Sequence, residues 1–358
     1  LKNNKFMKVL ITGGCGFLGA NLASFFLKNN HEVFLIDALF RDGSNDNLKW
    51  LKEKYLKSDL KFSKIDISNF KDVKTFFREY APFDYICHVA GQVTMTKSLS
   101  DPRSDLETNV IGTFNILESM REFSPEALLA FSSTNKVYGD LKWLEIVEKG
   151  KRYILEGFVK GLDEQLPLDF STPYGCSKGA ADQYVRDWAR VFNLKTVVFR
   201  HSSIYGGRQY ATYDQGWIGW FCKKVIEQKQ SCVNGMNKNE FTISGTGKQV
   251  RDVLYADDLV NLYFSAYLNK EKMNGEIFNI GGGYDNSLSI LELIDILKEK
   301  LNFEDVLYKN IARRESDQDY FIASIEKAKK LLNWVPKIDK NKGIDKMIDW
   351  TLNLKKKI

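Results

Sequence analysis

Short apolar runs alternate with amphipathic stretches through the first half of the chain. Runs rich in β-branched and aromatic side chains have the length of buried strands and lie at residues 9–11, 32–37, 61–65, 84–89, 127–131 and 196–199. Between them, apolar side chains recur at helical spacing over residues 18–26, 70–80, 106–120 and 174–192. Strands and helices that alternate in this way form βαβ units. The pattern therefore predicts an α/β fold with a doubly wound parallel sheet and helices on both faces.

The pattern changes after about residue 203, where glycine, aromatic and polar residues become dense. The pattern predicts two short strands, at residues 251–254 and 275–280, which we expect to rejoin the sheet. It also predicts two amphipathic helices, at residues 288–301 and 324–332. A Rossmann-type domain is therefore predicted over residues 7–202 together with about 251–282. A smaller, discontinuous α/β domain is predicted over about 203–250 and 283–354.

A glycine-rich turn follows the first predicted strand and precedes a predicted helix. Gly14, Gly16 and Gly19 have the spacing of the dinucleotide-binding fingerprint in that context. In this interpretation Gly14 permits the tight turn, Gly16 lets a diphosphate approach the backbone, and Gly19 lets the helix pack on the strand. Asp37 ends the second strand 21 residues after Gly16, where an acid binds the adenosine ribose. The alternative is a glycine-rich loop with an ordinary exposed aspartate.

Asp37 predicts NAD rather than NADP as the cofactor. A carboxylate accepts hydrogen bonds from the ribose 2′-OH and repels a 2′-phosphate, whereas an arginine such as the nearby Arg41 would favour the phosphate. Ligands of doubly wound sheets bind beyond the carboxyl ends of the strands. Small and polar residues gather at those ends here, at Gly13, Asp37, Asp66, Ala90, Ser132 and Arg200.

Composition limits the possible partners. The chain has 358 residues, 44% hydrophobic and 27% charged, as expected for a globular protein of about two domains. Its net charge of +6 is diffuse, and the sharp basic run at residues 355–357 lies at the end of the sequence. We therefore expect no nucleic-acid partner. No apolar run is long enough to span a bilayer, so no membrane partner is expected either.

The cysteines and histidines predict no metal site. The five cysteines form no CxxC pair and the three histidines are scattered. This cysteine usage is typical of a reduced, cytoplasmic protein without disulfides, and residues 1–6 lack the pattern of a signal peptide. We expect His31 at the surface and His88 in the interior.

Tyr174 and Lys178 stand four residues apart in a predicted helix and therefore share one face. A phenol has a pKa of about 10, which a neighbouring positive charge lowers. Such a tyrosine serves as general base or acid toward a sugar hydroxyl. The same spacing occurs at Tyr138 and Lys142, which follow a strand and enclose a Gly-Asp pair typical of a turn. We therefore predict that Tyr174 is chemical and Tyr138 structural.

Taken in order, these motifs resemble a known family. The pattern Gly13-x-x-Gly16-x-x-Gly19, the Ser/Thr strand end at 132–134 and the Tyr-x-x-x-Lys pair are similar to those of extended short-chain dehydrogenases/reductases of the sugar-nucleotide epimerase and dehydratase type. The resemblance covers nearly the whole chain and includes residues 251–258 and 314–317. It implies NAD as cofactor, Thr134, Tyr174 and Lys178 as the catalytic triad, and the smaller domain as the substrate-binding one. It also implies a homo-oligomer, dimer or tetramer, because the helices at 102–122 and 174–192 commonly form a dimer interface in this family.

The strand ends and the resemblance together predict the contact residues. Those expected at the cofactor are Gly13, Gly16, Phe17, Leu18, Gly19, Asp37, Arg41, Asp66, Ile67, Ala90, Gln92, Asn109, Ser132, Tyr174 and Lys178. Those expected at the substrate are Thr134, Asn135, His201, Ser203, Gln209, Thr212, Tyr213, Arg251 and Arg314. The two arginines suit a diphosphate, with surface ion pairs as the alternative. His201 is alternatively a packed core histidine, and Trp217 and Trp220 either stack on the ligand or pack in the core.

The two residues after Thr134 help to distinguish between the reaction types of this family. Dehydratases of this family carry Asp-Glu there, and that pair drives the loss of water, whereas this chain has Asn135 and Lys136. The strings at 132–140, 174–184, 200–209 and 211–221 instead resemble family members that invert C2 of a CDP-hexose. The resemblance implies a CDP-sugar substrate that is oxidised transiently to a 2-keto sugar and re-reduced on its opposite face. The alternatives are another sugar-nucleotide epimerase, such as a 4-epimerase of a UDP- or CDP-sugar, and a non-catalytic NAD-sensing module.

Overall fold

The centre of the fold is a seven-stranded sheet. A computed structural model describes residues 6–158 and 160–355, without the side chains of Met95 and Lys355, so most of the basic run at 355–357 and most of residues 1–6 lie outside the described residues. The strands are β1 (Lys8–Thr12), β2 (Glu32–Asp37), β3 (Leu60–Lys64), β4 (Tyr85–His88), β5 (Leu128–Thr134), β6 (Ile146–Lys149), β7 (Arg152–Leu155), β8 (Lys195–His201), β9 (Ser203–Tyr205), β10 (Phe241–Ser244), β11 (Val250–Tyr255), β12 (Asn274–Ile280), β13 (Ser287–Ser289), β14 (Tyr308–Ile311) and β15 (Tyr320–Phe321). The helices are α1 (Phe17–Lys28), α2 (Ser44–Lys54), α3 (Phe70–Tyr80), α4 (Met95–Ser100), α5 (Pro102–Asp105), α6 (Gly112–Phe123), α7 (Thr172–Phe192), α8 (Trp217–Val233), α9 (Ala256–Leu268), α10 (Ile290–Leu301), α11 (Glu326–Leu332) and α12 (Lys340–Lys355), with a π turn at Leu106–Ile111 and 3₁₀ turns at Asn135–Tyr138, Lys270–Lys272 and Tyr284–Asn286.

The main sheet is parallel throughout. Its strands pair in the order β12-β8-β5-β4-β1-β2-β3. In β1, Ile11 lies opposite Leu35 of β2 and Cys87 of β4. The strand order therefore reverses at β1, and a crevice forms beyond its carboxyl end, where doubly wound sheets bind ligands. The predicted parallel sheet is confirmed.

Helices cover both faces of this sheet. On one face α1 and α9 bury Phe26 and Leu262 against the sheet. On the other face α3, α6 and α7 bury Phe77, Ile116 and Val185. Because both faces are covered, the central strands carry nearly continuous apolar runs, which is why their positions could be predicted.

The strand predicted at residues 251–254 does not rejoin the main sheet. β11 pairs instead with β9, β13 and β15 in a separate four-stranded sheet. The main-sheet edge beside β8 is taken by β12. β11 turns Val253 and Tyr255 into a hydrophobic cluster with Phe221 of α8 and Met347 of α12. The expectation for this strand was therefore wrong, whereas the strand predicted at 275–280 joins the sheet as expected.

Several helices were not predicted. α8 begins after Gly216, whose φ is +79°, and no described side chain caps it. α9 begins at Ala256, directly after β11 ends at Tyr255, so no turn residues separate the two elements. α2, α12 and the hairpin of β6 and β7 were also missed. The division into domains at about 203, 251 and 283 stays a prediction.

Candidate active site

The turn after β1 is tightest at Gly13. Gly13 has a φ of +65° and donates its N–H to the carbonyl of Ile36 at 2.8 Å. A Cβ there would lie 2.7 Å from the Cα of Ala90, so only glycine fits. Gly14, to which the tight turn was assigned from the sequence, has no left-handed φ and packs against Leu35. That assignment was wrong: the tight turn belongs to Gly13.

The start of α1 suits an anion. Gly16 is its N-cap, no described side chain caps it, and its first turn, which begins with Phe17 and Leu18, contains no acidic residue. The N–H groups of such a turn carry a partial positive charge that favours phosphate. A Cβ on Gly19 would collide with the carbonyl oxygen of Gly13, so this glycine allows the close helix packing that was predicted. These features fit the diphosphate of a dinucleotide.

One cleft collects much of the predicted cofactor set. The predicted residues that line it are Gly13, Gly16, Asp37, Arg41, Asp66, Ile67 and Ala90. The Asp37 carboxylate accepts the N–H of Cys15 at 2.9 Å and that of Leu39 at 2.7 Å. Burial raises the pKa of Asp37, although these hydrogen bonds lower it. Arg41 donates a hydrogen bond to Gln215, which precedes α8.

Gln92 and Asn109 hold each other beside this cleft. Asn109 Nδ2 donates to the Gln92 carbonyl at 3.1 Å and to Ser177 Oγ of α7 at 2.9 Å, and Asn109 Oδ1 accepts the Gln92 N–H at 2.9 Å. Both side chains are buried. They tie the loop after β4 to the helix that carries Tyr174 and Lys178. Their predicted contact with the cofactor stays a prediction.

Thr134, Tyr174 and Lys178 meet at the carboxyl end of β5. Thr134 is the last residue of β5, while Tyr174 lies in the first turn of α7 and Lys178 one turn later. The Tyr174 hydroxyl is hydrogen-bonded to Thr134. The Lys178 ammonium donates to the carbonyl of Ser132 and lies 4.2 Å from the ring centroid of Phe131. The sequence-predicted triad is therefore brought together in space.

Burial governs the pKa values of the pair in the protein alone. We expected Lys178, together with an oxidised nicotinamide, to lower the pKa of Tyr174. Burial instead raises the pKa of Tyr174 to about 12, and its hydrogen bond to Thr134 only partly offsets this effect. Burial also lowers the pKa of Lys178 to about 7, against the attraction of Asp182. In the protein alone both groups are almost fully enclosed, which disfavours the phenolate and the ammonium alike. The expected lowering also needs the charge of the nicotinamide, so it stays a prediction.

The histidines are all interior. His201 Nδ1 lies 3.2 Å from Ser132 Oγ, and burial lowers the His201 pKa to about 3. His88 is buried as predicted, between Thr12 and Thr113. His31 was expected at the surface, which is wrong: its side chain is 2% exposed and accepts the backbone N–H of Met7. For His201 the structure matches the packed-core alternative, and its predicted substrate contact stays a prediction.

Four predicted substrate residues line one cavity of about 160 Å³. They are Ser203, Tyr213, Arg251 and Arg314, and they share the cavity with Trp217, Trp220 and Asp317. The Arg314 guanidinium lies 4.5 Å from the Tyr213 ring centroid. Trp217 Nε1 donates to Ser203 Oγ at 3.0 Å. Arginines and aromatic rings on one wall are suited to a diphosphate joined to a base or a sugar.

The remaining predicted substrate residues lie elsewhere. Gln209 donates to the carbonyl of Ile204 at 3.3 Å, and it borders another cavity together with Thr212. Asn135 is buried against Gln318.

Sequence reasoning did not find Gln318 or the contacts of Asp317. Gln318 contacts Asn135, 183 positions away, and Asp317 contacts Lys136, 181 positions away, so the only available signal for Asp317 was its place in the string at 314–317.

Two further findings concern the described residues alone. Among residues 6–158 and 160–355, no three His, Cys, Asp or Glu side chains group as metal ligands would. In the same part of the chain, no helix combines the length and apolar character that a bilayer crossing requires.

Comparison with known proteins places this site in a family. The family profile described as GDP-mannose 4,6 dehydratase matches residues 10–347. The chain belongs to this family. Its members are NAD-dependent sugar-nucleotide epimerases and dehydratases of the short-chain dehydrogenase/reductase type, as the sequence motifs implied.

Members of the family resemble the chain over nearly its whole length. CDP-paratose 2-epimerase of Salmonella typhi is 51% identical over 348 residues, which cover 97% of this chain and all of that protein. UDP-glucuronate 4-epimerase of Thermodesulfobacterium geofontis is 30% identical, over 96% of this chain and 95% of that one. Among solved structures, UDP-glucose 4-epimerase of Thermotoga maritima has a TM-score of 0.80 at 27% identity and covers 97% of this chain and 99% of its own.

Proposed function

We propose that this chain is an NAD-dependent epimerase that inverts C2 of a CDP-hexose, as in the conversion of CDP-paratose to CDP-tyvelose. The observation that carries the catalytic part is the meeting of Thr134, Tyr174 and Lys178 beside the dinucleotide cleft. The substrate class is supported by the 51% identity to CDP-paratose 2-epimerase over the full length of that protein. Asn135 and Lys136, in place of an acidic pair, argue against dehydration.

Residues of the cleft would hold the diphosphate and the adenosine ribose of the cofactor. The turn at Gly13 and the start of α1 would bind the diphosphate. Asp37 would accept a hydrogen bond from the ribose 2′-OH and would repel a 2′-phosphate. Arg41, the residue that would favour NADP, is bonded to Gln215. Held there by Gly13, Gly16 and Asp37, NAD would supply hydride-transfer chemistry for a reversible oxidation at C2.

The protein groups would handle the proton and the substrate. Tyr174 would take the proton of the C2 hydroxyl at its phenol oxygen and later return it, with Thr134 orienting that oxygen. Lys178, together with the positive charge of an oxidised nicotinamide, would favour the phenolate. Arg251 and Arg314 would hold the diphosphate and so serve as the pivot about which the sugar turns.

Product analysis tests this function directly. Purified protein would be mixed with CDP-, UDP- and GDP-sugars, and the products would be examined by NMR, with Tyr174→Phe as the inactive control. We expect inversion at C2 of a CDP-hexose. Inversion at C4 would make the chain a 4-epimerase, and a lack of conversion together with bound NAD would favour a sensing module. Protium should be retained at C2 in D₂O, and extensive deuterium there would rule out the oxidation and re-reduction route.

Cofactor identity has its own test. Denatured protein should release NAD(H), since an epimerase has no need to exchange its cofactor during turnover. Release of mainly NADP(H) would overturn the assignment of Asp37 without affecting the reaction class.

The oligomeric state is part of the proposal. Large apolar side chains are exposed on the π turn and on α7, among them Leu106, Ile111, Val191 and Phe192. Such a surface is typical of an interface between subunits, and we expect a homo-oligomer in light scattering. A monomer at micromolar concentration would contradict this part. The cytoplasmic location predicted from the sequence stays a prediction.

A further inference from the structure

Residues 316–318, here called the linking segment, touch both catalytic elements. Ser316 Oγ accepts a hydrogen bond from Ser171 Oγ at 2.8 Å, and Ser171 is the N-cap of α7, three residues before Tyr174. Ser316 has a φ of +54°, a backbone conformation that non-glycine residues adopt only when the surroundings hold them there. The linking segment is therefore fixed against the start of the helix that carries Tyr174.

The same segment is bonded to the turn after Thr134 through a pair of amides. Asn135 Nδ2 donates to Gln318 Oε1 at 2.8 Å. Gln318 Nε2 donates to the carbonyls of Asn135 at 3.3 Å and of Gly139 at 2.7 Å. Gln318 is fully buried, so water cannot reach its amide group, and losing any of these hydrogen bonds would leave a buried polar atom without a partner. A carboxylate at position 135 could not donate and would face Gln318 Oε1.

A charged group joins this turn to the substrate cavity. Asp317 Oδ1 accepts from Lys136 Nζ at 3.4 Å and from Arg251 Nη2 at 2.9 Å. Lys136 also donates to the Ser316 carbonyl, and Arg251 Nη2 donates to the Gln318 carbonyl at 2.7 Å. The side chains of Lys136 and Arg251 are only 14% and 13% exposed, so solvent screens this group weakly. A Glu at position 136 would oppose Asp317.

We propose that Asn135 and Lys136 are positioning residues which, through Gln318 and Asp317, fix Arg251 relative to Thr134 and Tyr174. The inference rests on the proposed function, in which Arg251 binds the diphosphate. It assigns a task to the two positions that hold Asp-Glu in dehydratases: here they dock the linking segment and take no part in proton transfer. The group that holds the diphosphate and the groups that move the proton would then be set by one network.

Charge removal at Lys136 tests this network. For Lys136→Met we expect kcat/KM for the CDP-hexose to fall about 10- to 100-fold, the range for losing a buried hydrogen bond between charged groups. Both KM and kcat should change, and CDP alone should bind more weakly in calorimetry. Lys136→Arg should restore kcat/KM to within about threefold, because a guanidinium reaches the same acceptors. The matched control is Lys300→Met, which breaks the 2.7 Å ion pair between Lys300 and Asp345 far from the site.

A double mutant distinguishes coupling from general damage. If Asp317 is the shared partner, Lys136→Met should add little to the effect of Asp317→Asn on kcat/KM and on CDP binding. Fully additive effects, or changes in melting temperature with normal kcat, KM and CDP affinity, would overturn the inference. Wild-type protein that neither binds CDP nor converts any CDP-hexose would refute the proposed function and the inference with it. An active wild type with unaffected variants would refute the inference alone.

Discussion

The two Tyr-x-x-x-Lys segments have the same spacing and opposite surroundings. Tyr174 and Lys178 lie one turn apart on α7, and both side chains are buried beside Thr134. Tyr138 ends a 3₁₀ turn, and Lys142 lies beyond it with its side chain 77% exposed and paired with Asp140. Residues four apart share a face only when the backbone between them is helical. The spacing alone therefore carries no chemistry, and the backbone decides which pair acts together.

Tyr138 has a structural task instead. Its hydroxyl donates to Asn279 Oδ1 at 2.7 Å and accepts from Arg200 Nη1 at 3.0 Å. Its ring stacks on Phe321. Arg200 in turn makes a bidentate ion pair with Asp182 of α7. Tyr138 therefore completes a buried polar network behind the catalytic helix. It is not among the described residues that line the cofactor cleft or the 160 Å³ cavity.

The largest expected effect is that of Tyr174→Phe. Removing the hydroxyl removes the proposed proton acceptor, so kcat should fall about 10²- to 10⁴-fold, the range of general acid–base catalysis. Bound NAD, measured after denaturation, should be unchanged, because the ring is kept. If Tyr138→Phe reduced kcat more than Tyr174→Phe, the roles assigned to the two tyrosines would have to be exchanged.

Lys178→Met is expected to have the next largest effect. It removes the charge proposed to favour the phenolate, and it leaves the Ser132 carbonyl without its donor. We expect kcat to fall by about 10- to 100-fold, below the loss from removing the base itself. Steady-state kinetics with the CDP-hexose measure this effect, and activity within twofold of wild type would exclude a role for Lys178.

The two buried histidines near Lys178, His88 and His201, also predict that stability depends on pH. Burial lowers the pKa values of His88 and His201 to about 3, while unfolded histidine titrates at about 6.5. Between these values the unfolded state binds more protons, so the free energy of unfolding should fall as the pH falls from 6.5 toward 3. Each imidazole contributes a slope of about 1.4 kcal/mol per pH unit.

Melting of wild type and His201→Gln between pH 6.5 and 4 checks this slope. The variant lacks one of the two imidazoles, so its stability should depend less steeply on pH by about 1.4 kcal/mol per unit. Parallel curves would mean that His201 is protonated as readily in the folded protein as in the unfolded chain.

The positions of the main-sheet strands and of the glycine turn could be predicted because their causes are local. A strand buried on both faces needs a continuous apolar run, as in β1 and β8. The turn at Gly13 needs a residue that accepts a positive φ, and only the choice between Gly13 and Gly14 was missed. The Tyr174–Lys178 pair could be recognised because one helix carries both residues.

The linking segment could not be predicted because its contacts are distant in sequence. Lys136 and Asp317 are 181 positions apart, and nothing near either residue indicates the other. The pairing of β11 outside the main sheet has the same cause, since β11 packs with residues of α8 and α12 that are distant in sequence. The raised pKa of Tyr174 follows from its burial, and the spacing of four residues gives no information about burial.

Tyr138→Phe should affect stability more than catalysis. The variant keeps the stacked ring, but it leaves Arg200 and Asn279 each without one hydrogen-bond partner in a buried place. We expect a loss of about 1–3 kcal/mol in the free energy of unfolding, the usual cost of an unsatisfied buried polar group. Denaturant unfolding measures this loss. Activity should stay within a few-fold of wild type at temperatures where the variant is folded.

The smallest expected effect is that of Lys142→Met. The ammonium of Lys142 is 2.7 Å from Asp140 Oδ2, but the Lys142 side chain is 77% exposed. Ion pairs that are open to solvent in this way contribute little because water and salt screen them. The free energy of unfolding should change by less than about 0.5 kcal/mol, and kcat/KM should match wild type. The comparison with Lys178→Met is matched in chemistry, since both substitutions replace a lysine four residues after a tyrosine. A loss of activity in Lys142→Met similar to that in Lys178→Met would show that the turn after Tyr138 reaches the active site, and the structural role assigned to Tyr138 would then be wrong.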